Sequence, residues 1–283
     1  MQIILSDVLG FCFGVSRAIA LAEEALAGGC AVCTLGSLVH NPQETARLAA
    51  AGVRQVETPE AVDGDAVVIR AHGARPETFD ALRARRLRII DATCPFVQKS
   101  QRIARRFNKQ GMTLVIVGHE NHPEVQSILG YFPGPAHVVA SPDEVAALPG
   151  GITPGIIAQT TMPEETFQAV VDAIAARYPR FAACDTVCSA TRERQEAARR
   201  LAAQVDAIYI VGGRHSSNTN RLAEICRRAC PRTVLIETAE EITLADLSGV
   251  EKLGIAAGAS TPAWLIQTVI DRLEALAGQA QQS

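Results

Sequence analysis

The sequence predicts an α/β protein of three similar αβ units with mainly parallel sheets, and three observations carry the prediction. Short runs rich in Val and Ile recur, each followed by a polar loop and then a segment with helical periodicity. Alternation of that kind builds parallel sheets with helices packed on them. At 283 residues the chain is long for one core, since domains commonly run about 100 to 150 residues. The turns "DATCPF" and "CDTVCSAT" then divide it into stretches of comparable size.

Taken in order, the opening strand "MQIILSD" is too short to form a unit alone and is expected to join the last one. The first unit, 13–94, opens with the turn "GFCFGVSRAI" leading into a helix. It continues through "GGCAVCTLG", which enters a strand, and "AVVIRAHG" ahead of the helical "ARPETFDALRAR". The second, 95–187, contains "TLVIVGHENH" before "PEVQSILG" and "GIIAQTT" before "MPEETFQAVVDAIAARY". The third, 188–283 joined by the strand 1–12, contains "DAIYIVGGRHSSN" before "TNRLAEICRRAC" and "KLGIAAGAS" before "TPAWLIQTVIDRLEAL". No strict sequence repeat relates them, so the threefold division is architectural. The short tail "GQAQQS" is expected to be disordered.

Composition narrows the function. Hydrophobic residues make up 48% and charged residues 20%, normal for a globular chain with a sizeable core. A net charge of -3 offers no global attraction to nucleic acid or an anionic membrane, so an anionic ligand needs a local site. The N-terminus lacks the basic start and apolar stretch of a signal peptide, and no apolar run reaches the roughly 18 residues of a membrane span. The expected location is the cytoplasm, where eight cysteines are not expected to form structural disulfides and metal or redox chemistry becomes the better account.

Polar side chains cluster where strands end and helices begin, the side of an α/β sheet where ligands bind. They include His72, His119, His122, Glu124, Thr160, Thr161, Ser216, Ser217, Asn218, Ser260 and Thr261. Helix capping accounts for any single Ser, Thr or Asn among them. The same enrichment in five strand–helix junctions points further, to helix N-termini that bind an anion.

The cysteines sort into two kinds. Cys30 and Cys33 form a CxxC that runs into a strand with no second CxxC to complete a zinc site, and Cys226 and Cys230 lie four apart on a helix; both pairs read as core. Of Cys184 and Cys188, only one need be special. Cys12, Cys94 and Cys188 share another setting: each sits in a turn that ends in a helix start, one in each third of the chain. Helix N-termini favour thiolate, the form that ligates metal. Three thiolates with no obvious fourth ligand suggest an iron–sulfur cluster with one open iron rather than a closed zinc site.

The ordered set "GFCFGVSRA", "LVHNP", "RAHG", "DATCPFV", "GHENHPEV", "QTT", "DTVCSAT", "RQEA", "SSNTNRL" and "AGAS" resembles the 4-hydroxy-3-methylbut-2-enyl diphosphate reductases of the non-mevalonate isoprenoid pathway, over nearly the whole chain. The resemblance implies three αβ units around a central iron–sulfur cluster. Cys12, Cys94 and Cys188 would hold one four-iron four-sulfur cluster, its fourth iron open to the substrate hydroxyl. His40, His72, His122, Ser216, Ser217, Asn218 and Ser260 would bind the diphosphate, while Thr160 and Glu124 would face the hydroxyl end. The products would be isopentenyl and dimethylallyl diphosphate, and a ferredoxin or flavodoxin would donate electrons, since the chain carries no flavin or nicotinamide fingerprint. Two positions depart from the family pattern: Phe13 stands where a small residue is found in some members, and His215 where Asn is common.

The residue types suit that chemistry. A diphosphate needs donors at helix N-termini, and histidine adds positive charge when a phosphate raises its pKa. Loss of an allylic hydroxyl as water takes two electrons and a proton, for which Glu124 is the expected source, acting through Thr160 or the phosphate. The bland reading of Glu124 is an acidic residue favourable at a helix N-terminus. The phenylalanines beside Cys12 are expected to shield the cluster from water. Two rival functions are weaker. A phosphosugar or nucleotide transferase leaves the three cysteines unexplained and lacks a phosphate loop, and a cluster- or zinc-binding sensor or structural protein leaves the polar cleft unexplained.

Overall fold

The computed structural model describes residues 1–280; the last three residues of the expected disordered tail lie outside the described residues. Strand β1 (Gln2–Leu5) opens the chain and helix α1 (Phe13–Ala27) follows. Next come β2 (Val32–Leu35), α2 (Pro42–Ala50), β3 (Arg54–Val56), β4 (Ala66–Ile69), α3 (Pro76–Ala84) and β5 (Arg88–Asp91). The same pattern returns in α4 (Pro95–Lys109), β6 (Thr113–Val117), α5 (Pro123–Gly130), β7 (Ala136–Val139), β8 (Pro154–Ala158), α6 (Glu164–Arg177) and β9 (Ala182–Ala183). It returns again in α7 (Ser189–Ala202), β10 (Ala207–Val211), α8 (Ser217–Ala229), β11 (Thr233–Ile236), β12 (Lys252–Ala257) and α9 (Ala263–Ala280). Helix α9 therefore takes in residues 278–280, half of the tail expected to be disordered.

The strands form three four-stranded sheets in the orders β3-β2-β4-β5, β7-β6-β8-β9 and β11-β10-β12-β1. Every pairing is parallel. The third sheet is completed by the N-terminal strand, with Gln2 opposite Lys252 and Leu5 opposite Ile255. In each sheet the edge strand whose loop leads to Cys12, Cys94 or Cys188 lies beside β12, β4 or β8 respectively.

By packing, the chain forms two compact units: Met1–Ser16 with Val39–Ala51 and the chain from Ala190, and Arg17–Leu38 with Gly52–Ser189. The first contains the β11-β10-β12-β1 sheet, the second the other two. Central strands such as β4, β6, β8 and β10 are buried at every position, as parallel strands covered on both faces are. Period-two alternation sorts their side chains. In the first unit Tyr209, Val211, Leu253 and Ile255 pack with Leu265, Val269 and Leu273 of α9, whereas Ile208 and Ile210 pack with Leu222 of α8 and Leu201 of α7.

Cys33, Cys226 and Cys230 belong to these cores. Cys230, read as a second helical cysteine, instead caps the C-terminus of α8, which Pro231 prevents from continuing. Burial and its neighbour Cys230 push the Cys226 thiol up to about 12, so it stays a neutral apolar group. No disulfide joins any of the eight cysteines.

Candidate functional site

In the Arg17–Leu38 and Gly52–Ser189 unit, the chemistry gathers at the carboxyl ends of β4, β6 and β8. Pro123 at the first position of α5 makes His122 the N-cap; its Nδ1 accepts from Glu124 N at 3.2 Å. Glu124, in that first turn, is 1% exposed. Its Oε1 accepts from Thr160 N and its Oε2 from Thr160 Oγ1, both at 2.7 Å. Burial pushes the carboxyl up to about 7, against the two Thr160 hydrogen bonds that pull it down. An acid poised near neutrality beside a hydroxyl can hold a proton and release it.

His72 and His122 meet edge to face, ring centroids 5.3 Å apart. The His72 loop is fixed from behind: Ser127 Oγ donates to Ala74 O at 3.3 Å and accepts from Gln101 Nε2 at 2.8 Å. Gly73, at φ +78°, sits where a Cβ would meet that same Ser127 Oγ at 2.7 Å. Gln159 fixes the neighbouring loop by accepting from His119 N and donating to Thr161 Oγ1. Gln101 and Ser127 escaped sequence reading, because nothing in their local pattern separates a loop anchor from an ordinary polar residue; Gln159 lies in the motif "QTT", which by itself gives it no role.

In the unit containing the N-terminus, Ser216 is the N-cap of α8 and accepts from Thr219 N at 3.3 Å. Ser217 and Asn218 are its first helical residues, so capping explains only the first of the three. Asn218 Oδ1 accepts from Ala259 N at 3.0 Å, while Nδ2 is buried and has no hydrogen-bond partner. Ser260 Oγ donates to His40 O at 3.2 Å and lies 3.4 Å from Ser216 Oγ. A Cβ on Gly213 would stand 2.4 Å from His40 O, so the glycine is what lets the His40 loop approach β10. His40, Ser216, Asn218 and Ser260 thus converge at the N-terminus of α8, a donor-rich place for an anion. His215 is exposed, and Asn41 caps α2 through Glu44 N at 2.9 Å.

The three cysteines repeat one arrangement. Each directly precedes a helix, α1, α4 or α7. Each donates its backbone N–H to the chain just beyond the neighbouring strand: Cys12 to Ala259 O at 3.0 Å, Cys94 to Ala71 O at 2.9 Å, Cys188 to Thr160 O at 3.1 Å. Cys12 thereby shares Ala259 with Asn218, one through its carbonyl and the other through its N–H, and Cys188 shares Thr160 with Glu124. Unlike Cys33, Cys226 and Cys230, all three are partly accessible, as are Cys184 and, against its reading as a core residue, Cys30. Thiols at helix N-termini and outside the core are the donor chemistry that an iron–sulfur cluster takes, so the residues fit the group. Phe13 does not act as the expected shield, being 63% exposed; Phe11 is partly buried.

Fold and site define an α/β enzyme with single cysteines before helix N-termini and polar groups at the carboxyl ends of parallel strands. The chain belongs to the LytB protein family, which matches residues 3–274. That family is an iron–sulfur one, and the chain is an oxidoreductase. It is 44% identical over 275 residues to the 4-hydroxy-3-methylbut-2-enyl diphosphate reductase of Geobacter sulfurreducens, covering 97% of each chain. It is 43% identical to the enzyme of the same name from Aquifex aeolicus, covering 97% of this chain and 96% of that one. A solved structure of (E)-4-hydroxy-3-methyl-but-2-enyl diphosphate reductase, described as the terminal enzyme of the non-mevalonate pathway, shares 43% identity at a TM-score of 0.73, covering 96% of this chain and 99% of that one. The Plasmodium falciparum E-1-hydroxy-2-methyl-but-2-enyl-4-diphosphate reductase superposes at a TM-score of 0.90 with 28% identity, covering 95% and 87%. Among the described residues, no helix is long and apolar enough to cross a membrane.

Proposed function

We propose that this chain reductively dehydroxylates 4-hydroxy-3-methylbut-2-enyl diphosphate to isopentenyl and dimethylallyl diphosphate. Relatives matching 97% of the chain bear that enzyme's name, and the observation in this chain that carries the reading is the Glu124–Thr160 pair. Cys12, Cys94 and Cys188 would hold one four-iron four-sulfur cluster, leaving one iron without a protein ligand. When bound, that cluster supplies electrons one at a time and a Lewis acid for the hydroxyl.

The rest is chemistry of the chain's own residues. The diphosphate is held by Ser216, Ser217, Asn218 and Ser260 at a helix N-terminus and by His40, His72 and His122. The buried Asn218 Nδ2 is the donor whose need for an acceptor the substrate meets. Thr160 Oγ1 hands its proton to the departing hydroxyl and is reprotonated from Glu124 Oε2, leaving a carboxylate that the Thr160 N–H and O–H both stabilise. The C–O bond breaks, water leaves, two electrons enter the allylic fragment, and a second proton is added at carbon. A ferredoxin or flavodoxin in the cytoplasm would supply the electrons.

The test is anaerobic reconstitution with iron and sulfide, followed by oxidation of a reduced viologen on addition of the substrate. Rapid substrate-dependent oxidation is expected. No oxidation by protein with a full complement of iron and sulfide would sink the assignment.

A further inference from the structure

The loops leading into two of the cysteines are each gripped by one arginine, and neither arginine belongs to that cysteine's own stretch of sequence. Arg17 in α1 follows Cys12 by little more than a helical turn. It donates to Asp91 O at 3.2 Å, at the end of β5, and to Thr93 O at 3.4 Å, in the loop that ends in Cys94. Arg194 in α7 stands in the same relation to Cys188. It donates to Ala257 O at 2.8 Å, to Val8 O at 3.3 Å and to Gly10 O at 2.8 Å, the last two in the loop that ends in Cys12. The loop before Cys188 is fastened differently: Thr186 Oγ1 donates to Ala158 O at 2.6 Å and accepts from Ala158 N at 2.9 Å, and the arginine that reaches it, Arg106, donates to the Cys184 thiol at 3.0 Å and not to a loop carbonyl.

Loop carbonyls past the end of a strand need donors, and a guanidinium satisfies two or three at once in a fixed fork that lysine lacks. Arg194 is 2% exposed, a burial at which a charge needs partners, and its Nη1 and Nη2 meet three backbone carbonyls. The backbone at Cys94 and at Cys12 is consequently held from both sides, by the cysteine N–H bonded to the strand extension and by a guanidinium on carbonyls shortly before it.

We infer that Arg17 and Arg194 are positioning residues for the cluster ligands: Arg17 sets Cys94 and Arg194 sets Cys12, each acting on the cysteine remote from it in sequence. The consequence for the cluster rests on the proposed ligand role, whereas the loop contacts are read in cluster-free protein, so the two fail separately.

In the cluster-free full chain, the rate at which iodoacetamide alkylates each cysteine is followed by peptide mass spectrometry. R17K should raise the rate at Cys94 by about tenfold, as expected for loss of one hydrogen bond to a charged group, and leave Cys12 and Cys188 unchanged. R194K should raise it at Cys12 alone. A rise at Cys12 in R17K, an equal rise at all three, or no change at Cys94 would overturn the inference. Arg17 is only partly buried, so R17K decides the matter if R194K does not fold. After anaerobic reconstitution, R17K should lose iron to air faster than the parent and show an altered electron paramagnetic resonance spectrum of the reduced cluster. Parental iron retention together with a parental spectrum would restrict Arg17 to a structural role and reject the positioning one.

Discussion

Glu124 shows how a single carboxyl acquires chemistry from its surroundings. Its pKa is raised by burial to about 7, so protonated and ionised forms coexist near neutrality, with the Thr160 hydroxyl beside it the proposed path for the proton. Glu124→Gln keeps a partner for both Thr160 groups but has no transferable proton; turnover should fall about 10²- to 10⁴-fold with iron content unchanged, measured in the viologen assay. The stability effect has a definite sign. A folded-state pKa above the unfolded value stabilises fully below about 4.5, and that stability is lost as pH rises through about 7. Against the parent, the Gln variant of the cluster-free protein should therefore gain on the order of 3 kcal/mol between pH 5 and pH 8.5, read from denaturant midpoints. Asn218→Asp keeps an acceptor for Ala259 N but turns the buried donor into a negative charge; KM for the diphosphate should rise about tenfold or more, with kcat changed less. In sequence Glu124 was indistinguishable from a helix-start acid, because burial, which sets its pKa, is made by residues distant in the chain.

At the scale of elements, strand–loop–helix order was legible because buried parallel strands are continuous apolar runs and proline or polar caps mark helix starts. What carries the site is the close approach of loops. Gly213→Ala would drive a Cβ into His40 O and should cost about 1 to 3 kcal/mol in thermal unfolding, with KM also raised because His40 moves. Gly150→Ala, with open space around its Cβ, should be close to neutral and serves as the control. Trp264 of α9 donates from Nε1 to the buried Glu44 of α2 at 3.1 Å, and Arg47 binds the same carboxylate. As the chain's one tryptophan it reports on α2: Glu44→Gln should change its fluorescence, and an unchanged spectrum would argue against that contact in solution.

At the scale of the molecule, one pattern of sheet and helix occurs three times among the described residues, and the third sheet is completed by the strand Gln2–Leu5. Beginning the chain at Ser6 would remove β1 and with it the support of the loop that carries Cys12. Such a protein should lose iron on reconstitution and unfold at lower temperature; full iron content would show that β1 is dispensable to the site.

The sequence by itself determined the α/β class, the order of elements, the place of Cys12, Cys94 and Cys188 before helix starts, and the family resemblance, since each rests on local periodicity, on turn residues or on ordered motifs. Only the tertiary structure decided that Glu124 is buried against Thr160, that Asn218 keeps an unanswered donor, that Phe13 faces solvent, and that Arg17 and Arg194 reach loops far away in the chain. Those properties depend on contacts between residues distant in sequence, and periodicity along the chain carries no record of them.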